Sequence, residues 1–167
     1  MKYLPYENLT YRTPLTPEEI LKRIDDVIEP KKMFRMKGGF WGNSDHKPYE
    51  GSIKDLSFKM TRIISYRNSF LPVIKGKIGR DINGTKVEVS MRLNSFVLVF
   101  MAIWMAGVGL ACVVMLPLFT FEGTFDYLNL IPYGMLLFGH VLVTGGFKYE
   151  STRSKKDLAT FLKATIE

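Results

Sequence analysis

The sequence predicts an α+β membrane protein, in which an antiparallel, β-rich domain with flanking amphipathic helices contains an inserted two-helix transmembrane hairpin. Two long uncharged runs, Phe96–Phe119 and Tyr127–Phe147, predict the hairpin. Short alternating runs rich in Ile, Val, Phe and Tyr between residues 32 and 94 predict the strands. Apolar residues at helical spacing predict an amphipathic helix before these strands and another near the C-terminus.

The first uncharged run is long enough to cross a hydrocarbon layer of about 30 Å at 1.5 Å per helical residue. A helix of a soluble core is rarely this long and apolar on every side. The second run is also long enough, although Asn129, Pro132 and His140 interrupt it. Because the segment between the runs is short, we expect the two helices to be antiparallel.

The distribution of charge predicts the orientation. The segment between the spans carries only acidic charges, Glu122 and Asp126, whereas Arg92 precedes the hairpin and Lys148 follows it. By the positive-inside rule, both termini are cytoplasmic and the protein is a two-span protein of the cell inner membrane. The chain has 23 Lys and Arg against 16 Asp and Glu, a net charge of +7. No dense basic stripe with interleaved aromatics occurs, so the charge favours membrane lipids as partners and not nucleic acid.

Small residues recur in the first span at spacings that allow close helix packing: Ala102, Ala106, Gly107 and Ala111. We expect them to pack within the hairpin, and the alternative is oligomerisation. His140 is an ionisable group inside the second span. A neutral imidazole bonded to a backbone carbonyl or to Thr144 is favoured over a role in proton transfer or metal binding.

The N-terminal domain begins with an expected extended arm, residues 1–15, and a helix over Pro17–Glu29. Thr16 is the predicted N-cap and Glu19 completes a capping box. The predicted strands follow, with a turn-rich link at Gly79–Gly84 before the last of them: Met33–Gly38, Tyr49–Lys54, Ser57–Ser65, Leu71–Ile78 and Thr85–Leu93.

After the hairpin, Gly145 and Gly146 are expected to break the span, with a strand at Phe147–Glu150 and a helix capped by Ser151 or Ser154. This helix is too short to be stable alone and should dock on the sheet. The predicted division is therefore 1–94 for the cytoplasmic helix and sheet, 95–147 for the hairpin, and 148–167 for the strand and helix that complete the first domain.

No catalytic motif is present, and we expect a protein that is not an enzyme and has no cofactor. The glycine-rich residues 38–42 lack the Lys-Ser/Thr of a phosphate-binding loop. Asp45, His46 and Glu50 offer ligand types for a metal, but no second histidine lies nearby, so no metal site is predicted. Cys112 is the sole cysteine, which excludes an intramolecular disulfide.

The polar cluster with most potential for binding lies at the link between two predicted strands: Arg62, Tyr66, Arg67 and Asn68. Two guanidinium groups and neutral donors can bind a phosphate or a carboxylate. The candidate ligand is an anionic lipid headgroup or a protein partner. The alternative is a set of exposed loop charges that make surface ion pairs.

The order of strands, hairpin, strand and closing helix resembles bacterial pleckstrin-homology-like domains, including the YcxB-like membrane proteins. The residues that carry this resemblance lie in Tyr49–Ile53, Phe58–Arg62, Gly84–Val87 and Phe147–Glu150. The resemblance implies a membrane-side scaffold or sensing domain and no catalytic residue. A long amphipathic helix at the start departs from the pattern. The alternative function is a small accessory subunit of a larger membrane complex, assembled through the hairpin.

Overall fold

The computed structural model describes residues 4–30, 47–82, 84–121 and 127–166. Within these ranges the chain forms seven strands, three α-helices and one 3-10 turn at Tyr127–Leu130. The elements are, in chain order, β1 (Tyr6–Thr13), α1 (Pro17–Val27), β2 (Ile28–Pro30), β3 (Tyr49–Lys54), β4 (Ser57–Arg62), β5 (Pro72–Asp81), β6 (Gly84–Leu93), α2 (Ser95–Phe121), α3 (Ile131–Leu162) and β7 (Thr165–Ile166).

The strands form one sheet in the order β2-β3-β4-β5-β6-β1-β7. The sheet is mixed, because β2 is parallel to β3 whereas every other pair is antiparallel. The α+β class is confirmed, and the prediction of a purely antiparallel sheet is wrong. The parallel pair arises because the residue after α1, Ile28, is already extended and pairs with Tyr49.

The N-terminal segment was expected to be an extended arm, and instead β1 lies inside the sheet between β6 and β7. Tyr11 and Thr13 of β1 point into the core, and Arg12 between them is exposed. The sequence of β1 does not alternate between apolar and polar residues, because two of its inward positions, Glu7 and Thr13, are polar. Backbone pairing along the full length of β6 therefore decides the conformation of this segment.

The predicted start of α1 is confirmed. The Thr16 hydroxyl accepts a hydrogen bond from the backbone N–H of Glu19 at 3.3 Å, and the Glu19 carboxylate accepts one from the N–H of Thr16 at 2.9 Å. Ile20 and Ile24 are fully buried and fix the apolar face of the helix on the core. The helix ends at Val27, two residues before the predicted end.

The bounds of β3 are those predicted, and β6 begins one residue earlier than expected. The predicted link at Gly79–Gly84 does join these two strands, but it is shorter than expected, because β5 and β6 remain paired as far as Asp81 and Gly84. Gly84 has φ +137°, and a Cβ atom there would overlap the Thr13 carbonyl oxygen, so the hairpin requires glycine. The predicted strand Met33–Gly38 and the glycine-rich residues 38–42 lie outside the described residues.

α3 continues from Ile131 to Leu162, so the predicted break at Gly145 and Gly146 and the predicted strand at Phe147–Glu150 are wrong. One buried stripe follows the helix from Gly139 onward, and its first members face α2 whereas its later members face the sheet. The stripe consists of Gly139, Val143, Phe147, Glu150, Ser151, Ser154, Leu158 and Leu162. Because Phe147, Leu158 and Leu162 fill the domain core, packing overrides the low helix propensity of the two glycines.

Two helices are long and apolar enough to cross a membrane, namely α2 over Ser95–Pro117 and the segment of residues 127–162 that contains α3. They pack against each other, and most of their apolar side chains point outward. Phe96 is 79% exposed, Ile103 69% and Phe138 66%. Helices that belonged to the core of a soluble domain would bury these side chains.

Candidate functional site

The second half of α3 meets the sheet through two groups of polar side chains. We call the first the Arg62 cluster, and it joins Glu150 and Asp157 of α3 to Arg62 and Tyr49 of the sheet and to Tyr66 of the link after β4. We call the second the Glu7 clamp, and it joins Lys148, Ser151 and Lys155 of α3 to Glu7 of β1.

The Arg62 cluster is built around a carboxylate that is fully buried, that of Glu150. Arg62 Nη1 donates to Glu150 Oε2 at 3.4 Å, and the Tyr66 hydroxyl donates to Oε1. A buried carboxylate is tolerated when a cation and hydrogen-bond donors compensate for its lost hydration. The contacts to Glu150 therefore bind the link after β4 to α3.

The same arginine reaches a second carboxylate, since Arg62 Nε lies 3.8 Å from Asp157 Oδ2. The Tyr49 hydroxyl donates to this oxygen at 2.8 Å. Burial, together with the neighbouring Asp157 charge, raises the pKa of Tyr49 above its usual 10, so the hydroxyl keeps the proton that it donates. Strands β3 and β4 are thereby both fixed to the same face of α3.

Three of the four residues predicted to bind an external ligand are used inside the chain. Arg62 and Tyr66 bind Glu150, and the Asn68 amide donates to the Gly146 carbonyl at 3.4 Å while its oxygen accepts from the Phe70 N–H at 2.9 Å. Tyr66 and Arg67 are both exposed, but Arg67 is the one of the four that makes no hydrogen bond or ion pair within the described part of the chain. The structure thus separates one exposed guanidinium from a structural cluster.

The Glu7 clamp is built around a second carboxylate, that of Glu7 in β1. Glu7 pairs with Lys148 and Lys155 and accepts a hydrogen bond from Ser151 Oγ at 2.8 Å. Burial by itself raises the pKa of Glu7, but the hydrogen bonds from Lys148, Lys155 and Ser151 outweigh burial and place it below the usual 4.5. The sequence did not predict that these four residues form a cluster, because the helical register of α3 sets the common face of Lys148, Ser151 and Lys155.

The lowered pKa of Glu7 predicts a loss of stability in acid. A carboxylate whose pKa is lower in the folded than in the unfolded state stabilises the fold above its unfolded pKa, and this contribution is lost as the pH falls through the folded pKa. We expect Glu7→Gln to lower the free energy of unfolding at pH 7 by about 2 kcal/mol and to weaken the dependence on pH below 4.5. Thermal unfolding followed by circular dichroism between pH 7 and pH 3 measures both effects. An identical pH dependence in the wild type and the variant would contradict this assignment.

Three exposed arginines lie near the ends of β6 and β4 and on α3. Arg92 lies over the Tyr6 ring at 4.7 Å. Arg153 lies over the ring of Tyr149 at 4.5 Å, and Tyr149 is about one turn beyond Gly146. Arg67 lies on the nearby link between β4 and β5. We call Arg67, Arg92 and Arg153 the arginine rim. Two of its three members are held by tyrosines that the sequence did not connect to them.

Most of the small residues of α2 that were expected to pack within the hairpin are exposed. Ala102, Ala106 and Gly107 are exposed, Ala111 is half-buried, and a Cβ atom added to Gly107 would meet nothing within 4 Å. Packing within the hairpin is therefore wrong for Gly107. The close approach is made instead by Gly139 of α3, where an added Cβ atom would overlap the Trp104 ring.

The remaining candidate ligands do not form a site. His140 is exposed, and the Thr144 hydroxyl has no hydrogen-bond partner among the described residues, so of the two bonds expected for His140 the one to Thr144 is not made. Within the described part of the chain no group of three or more His, Cys, Asp and Glu side chains is placed to hold a metal ion. Asp45 and His46 lie outside this part.

Comparison with protein-family models gave no match, and searches of curated proteins and of solved structures gave none either. The resemblance to pleckstrin-homology-like domains therefore stays a prediction.

Proposed function

We propose that this chain is a two-span inner-membrane protein, not an enzyme, whose sheet domain lies on the cytoplasmic side and binds anionic lipid headgroups through the arginine rim. The observation that carries the proposal is the continuity of α3, which exposes apolar side chains along its first half and enters the domain core with its second half. A domain held in this way keeps one end at the membrane surface.

The exposed apolar side chains of α2 and α3 support insertion into a bilayer. Burying one large apolar side chain is worth about 1.5–3 kcal/mol, so a pair of helices that exposes many of them is unfavourable in water. In a hydrocarbon layer the same side chains are solvated by lipid, and the helical backbone satisfies its own hydrogen bonds. The orientation follows from Glu122 and Asp126 between the helices and from the basic residues on the other side.

The position of the arginine rim supports contact with headgroups. Arg92 precedes the first residue of α2 by three positions, and Arg67 belongs to a link that packs on Gly146 through Phe70. Each well-placed Lys or Arg gains about 1 kcal/mol from anionic lipids, and tyrosines such as Tyr6 and Tyr149 are typical of the membrane–water interface.

Resistance of the chain to extraction from membranes tests whether it is inserted in the bilayer. We expect the full chain to stay in the membrane fraction during an alkaline carbonate wash and to enter solution only with detergent. Release by the wash alone would contradict the proposal of two spans.

Lipid retention tests the rim. We expect the triple variant Arg67→Gln, Arg92→Gln, Arg153→Gln to retain fewer phosphatidylglycerol molecules than the wild type, as counted by native mass spectrometry after transfer from nanodiscs of equal parts phosphatidylglycerol and phosphatidylcholine. The matched control has the same loss of charge at three exposed basic residues away from the rim, Lys22→Gln, Arg80→Gln and Lys163→Gln, and should retain the wild-type number. Equal retention by all three proteins would remove the rim from the proposal.

The second candidate function, an accessory subunit of a larger membrane complex, is supported by the outward position of Ala102, Ala106 and Gly107. Small side chains on a lipid-facing surface allow another helix to approach closely. A Gly107→Leu variant distinguishes this candidate function from the first.

A further inference from the structure

The face of the sheet that points away from the helices contains a trough of about 940 Å³. Its floor is formed by the outward residues of β4, β5 and β6, and one wall is the turn between β3 and β4. The turn is fixed to the sheet, because the Leu56 carbonyl accepts a hydrogen bond from the Ile78 N–H at 2.7 Å. The wall of the trough is therefore held in place by the backbone of the sheet.

Lysines dominate the charge of this trough. Lys59 of β4 and Lys75 of β5 are directly opposite each other, Lys77 is the next outward residue of β5, and Lys54 lies on the wall. Like charges at directly opposed positions of a sheet destabilise it. Among the described residues, no ion pair is made by Lys59 or Lys75.

Two acidic residues, Asp55 and Glu88, also line the trough and neutralise it only in part. Glu88 forms an ion pair at 2.8 Å with Lys86, a residue that does not line the trough. Four lysines face these two carboxylates, so the trough keeps a positive charge that this part of the chain leaves available to a ligand.

The spacing of the lysines matches the spacing of carboxylate side chains at alternate positions of an extended peptide. Lys75 and Lys77 are two residues apart on one strand, about 6.6 Å, which is also the spacing of alternate side chains in an extended peptide. Hydroxyl and amide groups of Ser57, Ser90 and Asn8 line the same trough and can hydrogen-bond a peptide backbone. The one aromatic residue of the lining, Phe58, is only 3% exposed, so no ring is offered for stacking a nucleobase.

The position of the trough favours a protein over a lipid. Ser90 and Glu88, opposite Lys75 and Lys77, precede the end of β6 at Leu93 by three and five residues, about 10 and 17 Å along the strand. The arginine rim lies at that end. The chain's own segment of residues 31–46 is not a complementary occupant, because its sequence holds four Lys and Arg against one Asp.

We propose that the trough binds an extended acidic segment of a partner protein, with carboxylates at alternate positions placed against Lys75, Lys77 and Lys59. This surface is separate from the arginine rim, and the proposal stands whether or not the rim binds headgroups.

The probe is a fluorescent eight-residue peptide of alternating Glu and Ser, titrated against the full chain in detergent and followed by fluorescence anisotropy. We expect saturable binding that weakens as salt is raised, and no binding of the peptide with Gln in place of Glu. The variant Lys59→Gln, Lys75→Gln should weaken binding by about tenfold or more. The matched control, Lys22→Gln, Lys156→Gln, has the same loss of charge at exposed positions outside the trough and should bind as the wild type does.

Stability gives a second readout. Because the two lysines oppose each other in the absence of ligand, Lys59→Gln, Lys75→Gln should unfold at a temperature equal to or above that of the wild type, which separates lost binding from lost folding. Failure of the peptide to bind, or an equal effect of both double variants, would overturn the proposal. The proposal would also be overturned if the wild type did not bind the peptide and Lys59→Gln, Lys75→Gln retained less phosphatidylglycerol than the wild type. That result would assign the trough to lipid.

Discussion

Arg62→Ala should lower the free energy of unfolding by about 3 kcal/mol, because it leaves the fully buried Glu150 carboxylate without its cation. The Tyr66 hydroxyl still donates to Glu150, but one neutral donor does not replace a guanidinium. The same change removes the contact with Asp157, so β4 is released from α3 at two points. Chemical denaturation of the full chain in detergent, followed by circular dichroism, measures the loss.

Arg67→Ala is the matched control, since Arg67 is an exposed arginine five residues after Arg62, on the link that follows β4. Its expected effect is within about 0.5 kcal/mol. Arg62→Met combined with Glu150→Met should be more stable than Arg62→Ala, because an apolar pair replaces the buried charges without an orphaned carboxylate. If Arg62→Ala is no more destabilising than Arg67→Ala, the Arg62 cluster does not hold the domain on α3.

Gly139→Leu should separate α2 from α3, with a cost of about 2–3 kcal/mol. The Trp104 ring and the Met105 sulfur occupy the space beside the Gly139 Cα, so a leucine side chain fits only if the helices move apart. The displaced Trp104 reports the change through its fluorescence, which is isolated by placing the variant in a Trp41→Phe background, since the chain has two tryptophans. Thermal unfolding measures the loss of stability in the same samples.

Gly107→Leu is the control for hairpin packing and the test of the accessory-subunit hypothesis. Nothing lies within 4 Å of an added Cβ atom at this position, so the stability and Trp104 emission of the isolated chain should not change. If a larger complex assembles on this face, Gly107→Leu removes the chain from that complex in native mass spectrometry of detergent extracts. Survival of a heteromeric complex in the variant would reject the outward small residues as its interface.

Local signals explain which elements were predictable from the sequence. The capping box at Thr16 and the strict alternation in β6 involve residues a few positions apart, and both gave nearly correct bounds. β1 was missed because polar side chains occupy inward positions, and the continuity of α3 was missed because Gly145 and Gly146 disfavour a helix locally. Core packing at Phe147 decides the second case.

The candidate site was less predictable because its contacts are distant in sequence. Arg62 and Tyr66 were recognised as a group able to bind a carboxylate, but the carboxylate is Glu150 of the same chain, 88 positions after Arg62. No periodicity within a window of the sequence connects these two residues. The lysine trough likewise depends on the register that places Lys59 opposite Lys75, which is a property of the paired strands.

In the proposed membrane orientation, the length of α3 connects the tilt of the spans to the position of the domain. Its 32 residues make a rod of about 48 Å, and the Arg62 cluster and the Glu7 clamp fix the sheet to its second half. Helices that cross a bilayer adjust their tilt to its thickness. A change of about 10° in tilt would move the far end of this rod sideways by about 8 Å, and with it the lysine trough. If the chain is inserted as proposed, a thinner or thicker membrane would present the proposed binding surface at a different height and angle, because a small rotation of a long helix displaces its far end.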